Sequence, residues 1–506
     1  MRRLDAVHRT LAGLRALTAA ALLSLPALAG AADIPARPEQ IPFPALKFEV
    51  PKPEQYRHKL SNGVVVYVVE DHALPLVTIS VLDRTGAFLD PAGKTGLAGI
   101  TGAMMRKGGA GTLSAGDFDE KADFLAADLG SSADDTQGSA SLNCLSSVLE
   151  PSLDLLFAMM RSPRFQQERL DVEKGDELED MKQRNDDAGT ILSREWDWLL
   201  YGEDHFLSRE ATSDELNALT RDDLVKFHRD SWSPQGMILA VSGDVDTKRV
   251  LASLEKRFAG WKAEGPAPAW PPPPPTYVAK PGLYHMEKDI PQGKVYIGGR
   301  STKWDRYDNP DNYALFVMNS ILGGGGFTSR ITKKVRSDEG LAYDARSRYN
   351  IGAFYPLDYE VSYQTKSATV ALAAKLSLAE VAKMKAERVT DDELKTAKGS
   401  FIDAFPRNFE SATRVASLFA ADDYMARPHS YWTGYCDDIA KVTADDVLRV
   451  AKKYLGEPDQ MVFLVVGKWS DIQGGDADHR ASMKDFFGGQ VTHLPLRDPL
   501  TLKPLP

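Results

Sequence analysis

Arg336 and Tyr343 are the pair in this chain best suited to chemistry. They stand seven residues apart, which on a regular helix places both on one face. Arginine contributes a permanent positive charge and a rigid fork of donors, suited to a site where negative charge develops. Just upstream, Gly323, Gly324, Gly325 and Gly326 precede Phe327-Thr328-Ser329-Arg330. A phosphate-cradling loop needs Gly-Lys-Ser/Thr after its glycines, and that is missing. The four glycines therefore read as a helix stop and a flexible loop. An acidic stretch, Val172 to Met181, offers Glu173 and Asp180, but one carboxylate without nitrogen or sulfur donors makes a poor metal site. The 9 histidines form no H-x-x-x-H or H-x-x-E-H pair. Neither a Gly-x-Ser-x-Gly elbow nor a recognisable nucleophilic cysteine occurs. Gly96, Gly99 and Gly102, with Ala103 beside the last, form a stripe without side chains on a helix-like stretch. Such a stripe either admits another backbone closely or marks side chains lost after they ceased to matter.

The elements around these residues come next. At 506 residues the chain exceeds one ordinary core. An apolar fraction of 43% and a charged fraction of 26% are those of a globular protein. A formal charge of −10 argues against a nucleic-acid-binding surface. Arg2, Arg3, Arg9 and Arg15, the apolar run Ala16–Leu28 and the small residues Ala29-Gly30-Ala31 predict a cleaved signal peptide over residues 1–31. The expected product is exported, to the periplasm if the source is a Gram-negative bacterium, with no stable membrane insertion. Cys144 and Cys436 are read as separate buried thiols.

The chain is built twice. Residues 219–246 and 442–471 each begin at a Thr N-cap with Asp two and three residues on, continue as a short amphipathic helix, and turn into an apolar strand ending in glycine. Those strands are Met237 to Gly243 and Met461 to Gly467. The copies define an N-terminal half (45–264), a proline-rich linker (265–282), a C-terminal half (283–473) and an extended tail (474–506). His58 to Glu70, Leu74 to Thr85, Lys294–Gly298 and Ala368–Ala374 read as strands. Leu149–Arg161, Leu170–Gln183, Asp222–Arg229, Asn312–Ile321, Leu376–Ala386 and Asp391–Phe405 read as helices. The expected class is α+β: two repeated halves, each a mostly antiparallel sheet with helices on one face.

Several segments, in order, resemble the insulinase/pitrilysin family of zinc metallopeptidases, the inverzincins. They are Leu60-Ser61-Asn62-Gly63, Pro91 to Ala98, Ser242-Gly243-Asp244-Val245, Leu322 to Arg330, Val335 to Tyr343 and Val389 to Lys395. The resemblance implies a clamshell-like peptidase fold. It places the family's H-x-x-E-H motif on Gly99, Gly102 and Ala103, and the third zinc ligand on Asp180. Glycine and alanine carry no donor, so no metal is expected in this chain. It also implies that Arg336 and Tyr343 hold substrate and stabilise the tetrahedral intermediate, with the Tyr hydroxyl as oxyanion donor. Gly323–Gly326 would then handle extended peptide. The resemblance implies the non-zinc subunit of a heterodimeric peptidase, with zinc in a paralogous partner. The alternative is a non-catalytic peptide-binding or assembly protein of the same descent.

Overall fold

The two repeated segments fold into matching places in two six-stranded sheets. The computed structural model describes residues 37, 41, 48–263, 267–301, 309–355 and 357–505. The expected signal peptide and the first two linker residues lie outside them. From Val50 onward the chain forms one compact unit.

The first sheet comprises β1 (Arg57–Lys59), β2 (Val65–Glu70), β3 (Leu76–Asp83), β4 (Asp128–Ala133), β5 (Gly138–Leu145) and β6 (Ile238–Gly243), in the order β1-β2-β6-β3-β5-β4. The second comprises β7 (Gly282–Glu287), β8 (Gln292–Arg300), β9 (Ala342–Tyr349), β10 (Asp358–Lys366), β11 (Val462–Gly467) and β12 (Val491–Leu494), in the order β12-β7-β11-β8-β10-β9. In each, a parallel pair (β2 with β6, β7 with β11) is followed by antiparallel pairs out to the far edge, while at the near edge β1 joins β2 antiparallel and β12 joins β7 parallel. The repeated strands β6 and β11 hold the same slot. Flanked on both sides and buried along almost their whole length, they read as continuous apolar runs rather than alternating ones.

The helices feeding them, Arg221–Ser231 and Ala444–Tyr454, start from matching capping boxes. The Thr220 amide donates to Asp223 at 3.0 Å, and the Asp223 amide to Thr220 Oγ1 at 3.3 Å. Thr443 and Asp446 repeat this at 3.0 and 3.1 Å. Each box satisfies two orphan amides.

One element differs from the sequence reading. Ala368–Ala374 is not a strand: Val370–Ala386 is a single helix. Val370 to Ala374 are all buried, and a short apolar run buried on every side carries no period to separate helix from strand. The cysteines are both free, Cys144 buried and Cys436 half-buried.

Helices line one face of each sheet and form its main core. The other face is covered in part by a helix from the opposite half. Ala188–Tyr201 lays Ile191, Leu192, Trp196 and Leu200 against Val462, Leu464 and Val466. Ala412–Met425 crosses β2 and β6, with Phe419 6.0 Å from the Tyr67 ring and Thr413 Oγ1 2.9 Å from Ser242 Oγ. The tail adds β12 beside β7, where His493 and His285 meet at 2.8 Å. It then runs on to the first half, where Arg184 and Asn185 donate to the carbonyls of Pro499 and Arg497 at 3.0 and 2.7 Å. The tail is therefore a strap, not a loose arm.

Asp197, on the exchanged Ala188–Tyr201 helix, has its carboxyl pushed up to about 7, first by burial, then by Asp358, Asp135, Glu360 and Glu210. A raised carboxyl holds its proton more tightly when folded. Its stabilising contribution is full below the unfolded value near 4 and is lost as pH rises through 7. Asp197→Asn is expected to raise the melting temperature by about 1–3 °C at pH 8 and hardly at pH 4, below which both states hold the proton. Calorimetry at both pH values checks this, and an equal shift at both would remove the ionisation argument.

Candidate functional site

Arg336 and Tyr343 do meet, although not on one helix face. Arg336 lies in a π-helical stretch, Lys333–Asp338, and Tyr343 is the second residue of strand β9. Gly340, at φ +65°, reverses the chain between them, with the Leu341 amide donating to the Val335 carbonyl at 2.9 Å. The reversal sets the Arg336 guanidinium 4.4 Å from the centre of the Tyr343 ring and 4.5 Å from that of Phe327. The cation is held between two aromatic faces, each contact contributing about 0.5–1 kcal/mol at an exposed site. Tyr343 is 83% exposed and Phe327 68%. These rings do not serve the core, and the assembly presents a cation, a phenol and an aromatic face to solvent.

Phe327 is the residue that sequence reasoning missed here. An aromatic directly after four glycines, where a core residue has nothing to pack on, is the signal that marks it.

The glycines are not a slack loop. The helix Asn312–Asn319 continues as a π-helical turn, Ser320–Gly324, packed on β9. A Cβ on Gly323 would lie 2.2 Å from the Ser347 amide nitrogen, and one on Gly325 2.5 Å from the Ser320 carbonyl. Gly324, Gly325 and Gly326 are exposed, while Gly323 is buried. Gly323, Gly324 and Gly326 form an ordered wall of a cavity of about 430 Å³ that also takes in Phe327 and Arg336. Thr332 and Asn319 donate from this side to the β9 carbonyls of Ala345 (2.7 Å) and Ser347 (3.4 Å), so this edge of the sheet is partly capped.

The corresponding region of the first half has the same plan with a different outcome. Helix Leu97–Lys107 runs along edge strand β4, as the glycine turn runs along β9. Gly102 matches Gly323: its Cβ would lie 2.4 Å from the Ala133 amide nitrogen. Ser131 Oγ donates to the Gly102 carbonyl at 2.6 Å and Arg106 Nε to that of Leu129 at 3.1 Å. Of the two explanations for the bare stripe, close approach of a backbone applies at Gly102. Gly99 is exposed and Ala103 half-buried.

Zinc does not fit these residues. Gly99, Gly102 and Ala103 supply no lone pair, and Asp180 is an exposed carboxylate on helix Gln167–Lys182. Glu173, on the same helix, is buried and paired with Lys107 at 2.5 Å. Lys107 lies one helical turn beyond Ala103, so an ammonium stands beside the acidic helix. The Glu177 carboxyl between Glu173 and Asp180 is pushed up, mainly by burial and then by those two neighbours. Among the described residues, no group of three or more His, Cys, Asp or Glu is placed to hold a metal ion. Among the same residues, no helix is long and apolar enough to cross a membrane.

Residues 218–401 match the family described as the Peptidase M16 inactive domain. A Streptomyces coelicolor protein named as an uncharacterized zinc protease is 27% identical over 65% of this chain and 71% of its own length. A Helicobacter pylori protein named a non-peptidase homolog is 24% identical over 81% of this chain and 93% of its own. The crystal structure of a peptidase M16 inactive domain from Pseudomonas fluorescens superposes with a TM-score of 0.71 at 25% identity, covering 81% of this chain and 97% of that one. Relatives, matched domain and shared architecture point the same way: residues 218–401 carry the M16 inactive-domain match, and most of the chain is similar to insulinase-like M16 proteins.

Proposed function

We propose that this protein is the exported, non-zinc subunit of a heterodimeric metallopeptidase, and that it supplies Arg336, Tyr343 and a peptide-binding wall to a zinc-bearing partner. The observation that carries the reading is the asymmetry between the halves. The first half has closed its motif helix onto β4 through Gly102, whereas the second keeps Arg336 between two exposed rings beside an open cavity. A cation and a phenol exposed together suit charge that develops on a substrate carbonyl. In this reading the guanidinium holds the peptide and the Tyr343 hydroxyl donates to the forming oxyanion. The metal belongs to the partner, and the glycine turn Gly323–Gly326 shapes the wall along which extended peptide lies.

The second reading, a peptide-binding or assembly protein without catalysis, draws support from the Helicobacter pylori relative named a non-peptidase homolog. Co-purification from the native host separates the two. A paralogous partner carrying H-x-x-E-H, with zinc and peptidase activity in the complex, is the expected result. A homodimer without activity would favour the second reading. The same material tests export: the mature chain is expected to begin at or near Ala32, and an intact Met1 terminus would refute the signal peptide.

A further inference from the structure

The cavity beside Arg336 holds more positive charge than an oxyanion donor requires. Arg346 and Arg348 also line it, from alternate positions of β9 that share one face of the strand. Their cross-strand neighbours on β10 are Ser362 and Glu360. Among the described residues, the only other charged one lining the cavity is Asp344, 3.6 Å from Arg346. Among the described residues, Arg336 and Arg348 make no ion pair and no hydrogen bond through their side chains. Glu360 offsets this charge only in part: it is buried, and its carboxyl is pushed up to about 7 by burial and by Asp358, against the pull of Arg348 and Arg346. Three guanidiniums thus face one carboxylate across about 430 Å³, in a chain whose overall charge is −10. The positive charge is local and concentrated.

We infer that the cavity walled by Arg336, Arg346 and Arg348 is a subsite for a carboxylate of the bound peptide, so that this subunit prefers acidic peptides. The inference rests on the peptide-binding reading above and names the substrate class for that wall. Guanidinium forks pair with carboxylates through two parallel hydrogen bonds, and two forks here are free to do so. The cavity floor is pre-set: Ser347 Oγ donates to Asn319 Oδ1 at 2.8 Å, which holds β9 against the glycine turn. The exposed faces of Phe327 and Tyr343 offer apolar contact to neighbouring residues of the same peptide. The carboxylate has two sources, an internal Asp or Glu side chain or the peptide's C-terminus.

Fluorescence anisotropy on the purified mature chain distinguishes them, with three labelled ten-residue peptides at low salt. One carries two central Glu and an amidated end, one carries Gln in their place, and one is the Gln peptide with a free C-terminal carboxylate. The Glu peptide is expected to bind about tenfold more tightly than the amidated Gln peptide, with the advantage shrinking in 0.5 M salt. In Arg348→Gln and Arg346→Gln, both at exposed positions, the ratio should fall to about twofold or less. A gain confined to the free-terminus peptide would support the subsite and assign it to the C-terminal carboxylate. Equal affinity for all three peptides, or a ratio unmoved by either substitution, overturns the inference while leaving the trans-acting pair intact. Failure to bind any of the peptides overturns both. Loss of catalysis on changing Tyr343 bears only on the pair, because this readout needs no partner.

Discussion

Tyr343→Phe in the reconstituted complex is expected to lower kcat by about 10²–10³ and to leave assembly and zinc content unchanged. The geometry makes this a clean substitution. Phe keeps the ring that stacks on Arg336 at 4.4 Å, so the guanidinium stays between its two aromatic faces and only the hydroxyl is removed. With Tyr343 83% exposed, little stability is at stake. An interaction made only in the transition state affects kcat and kcat/KM equally, so KM should barely move. Arg336→Ala is expected to behave differently. It removes a cation that also holds ground-state substrate, so KM should rise as kcat falls. It also frees the Phe327 and Tyr343 rings from their common partner. Steady-state peptide cleavage, with assembly followed by size-exclusion chromatography, gives both numbers. Full activity in both variants would make the pair structural and favour the assembly reading.

The second large effect is expected in the attempt to rebuild the lost site. Gly99→His, Gly102→Glu, Ala103→His and Asp180→Glu together write back four residue types but should yield neither stoichiometric zinc nor hydrolysis. The obstacle is at Gly102, where any Cβ falls 2.4 Å from the Ala133 nitrogen and 2.5 Å from the Ser132 carbonyl carbon. Backbone cannot swing aside as a side chain can, so helix and strand must separate, at about 2–4 kcal/mol. Gly102→Ala alone should show most of that loss. The sign is diagnostic, because in an unencumbered helix interior the same change stabilises by about 1 kcal/mol. Gly99→His, at an exposed position, should be mild. Denaturant titration and metal analysis check both halves of the prediction, and a stable, zinc-loaded, active quadruple variant would show the scaffold to be a complete peptidase.

What the sequence makes legible is local, and what it hides is mostly contact across long separations. The capping boxes at Thr220 and Thr443 and the apolar runs into Gly243 and Gly467 are short-range signals, and they locate the repeat. Arg336 and Tyr343 are legible as residue types. Their meeting is not, because spacing of seven suggests two helical turns whereas Gly340 reverses the chain instead. The Gly96–Gly99–Gly102 stripe leaves two explanations open until β4 is seen against Gly102. Ala368–Ala374 misleads because complete burial erases periodicity. The strap formed by the tail is invisible for a related reason: four residues, Val491–Leu494, find their partner β7 about two hundred residues earlier.

The exchange of helices also sets an order of events during synthesis. Ala188–Tyr201 is finished roughly 260 residues before β11, the strand that buries its Ile191, Leu192 and Leu200. At about 5–20 residues per second, that face waits some 13–50 s for its cover. The first half cannot complete itself on the ribosome either, since Ala412–Met425, which closes its own second face, is made long after β6 (Ile238–Gly243). A nascent chain paused at the proline-rich linker therefore carries an uncovered helix and an uncovered sheet. It is a natural client for a holding chaperone, and it can be kept unfolded until the whole polypeptide is available.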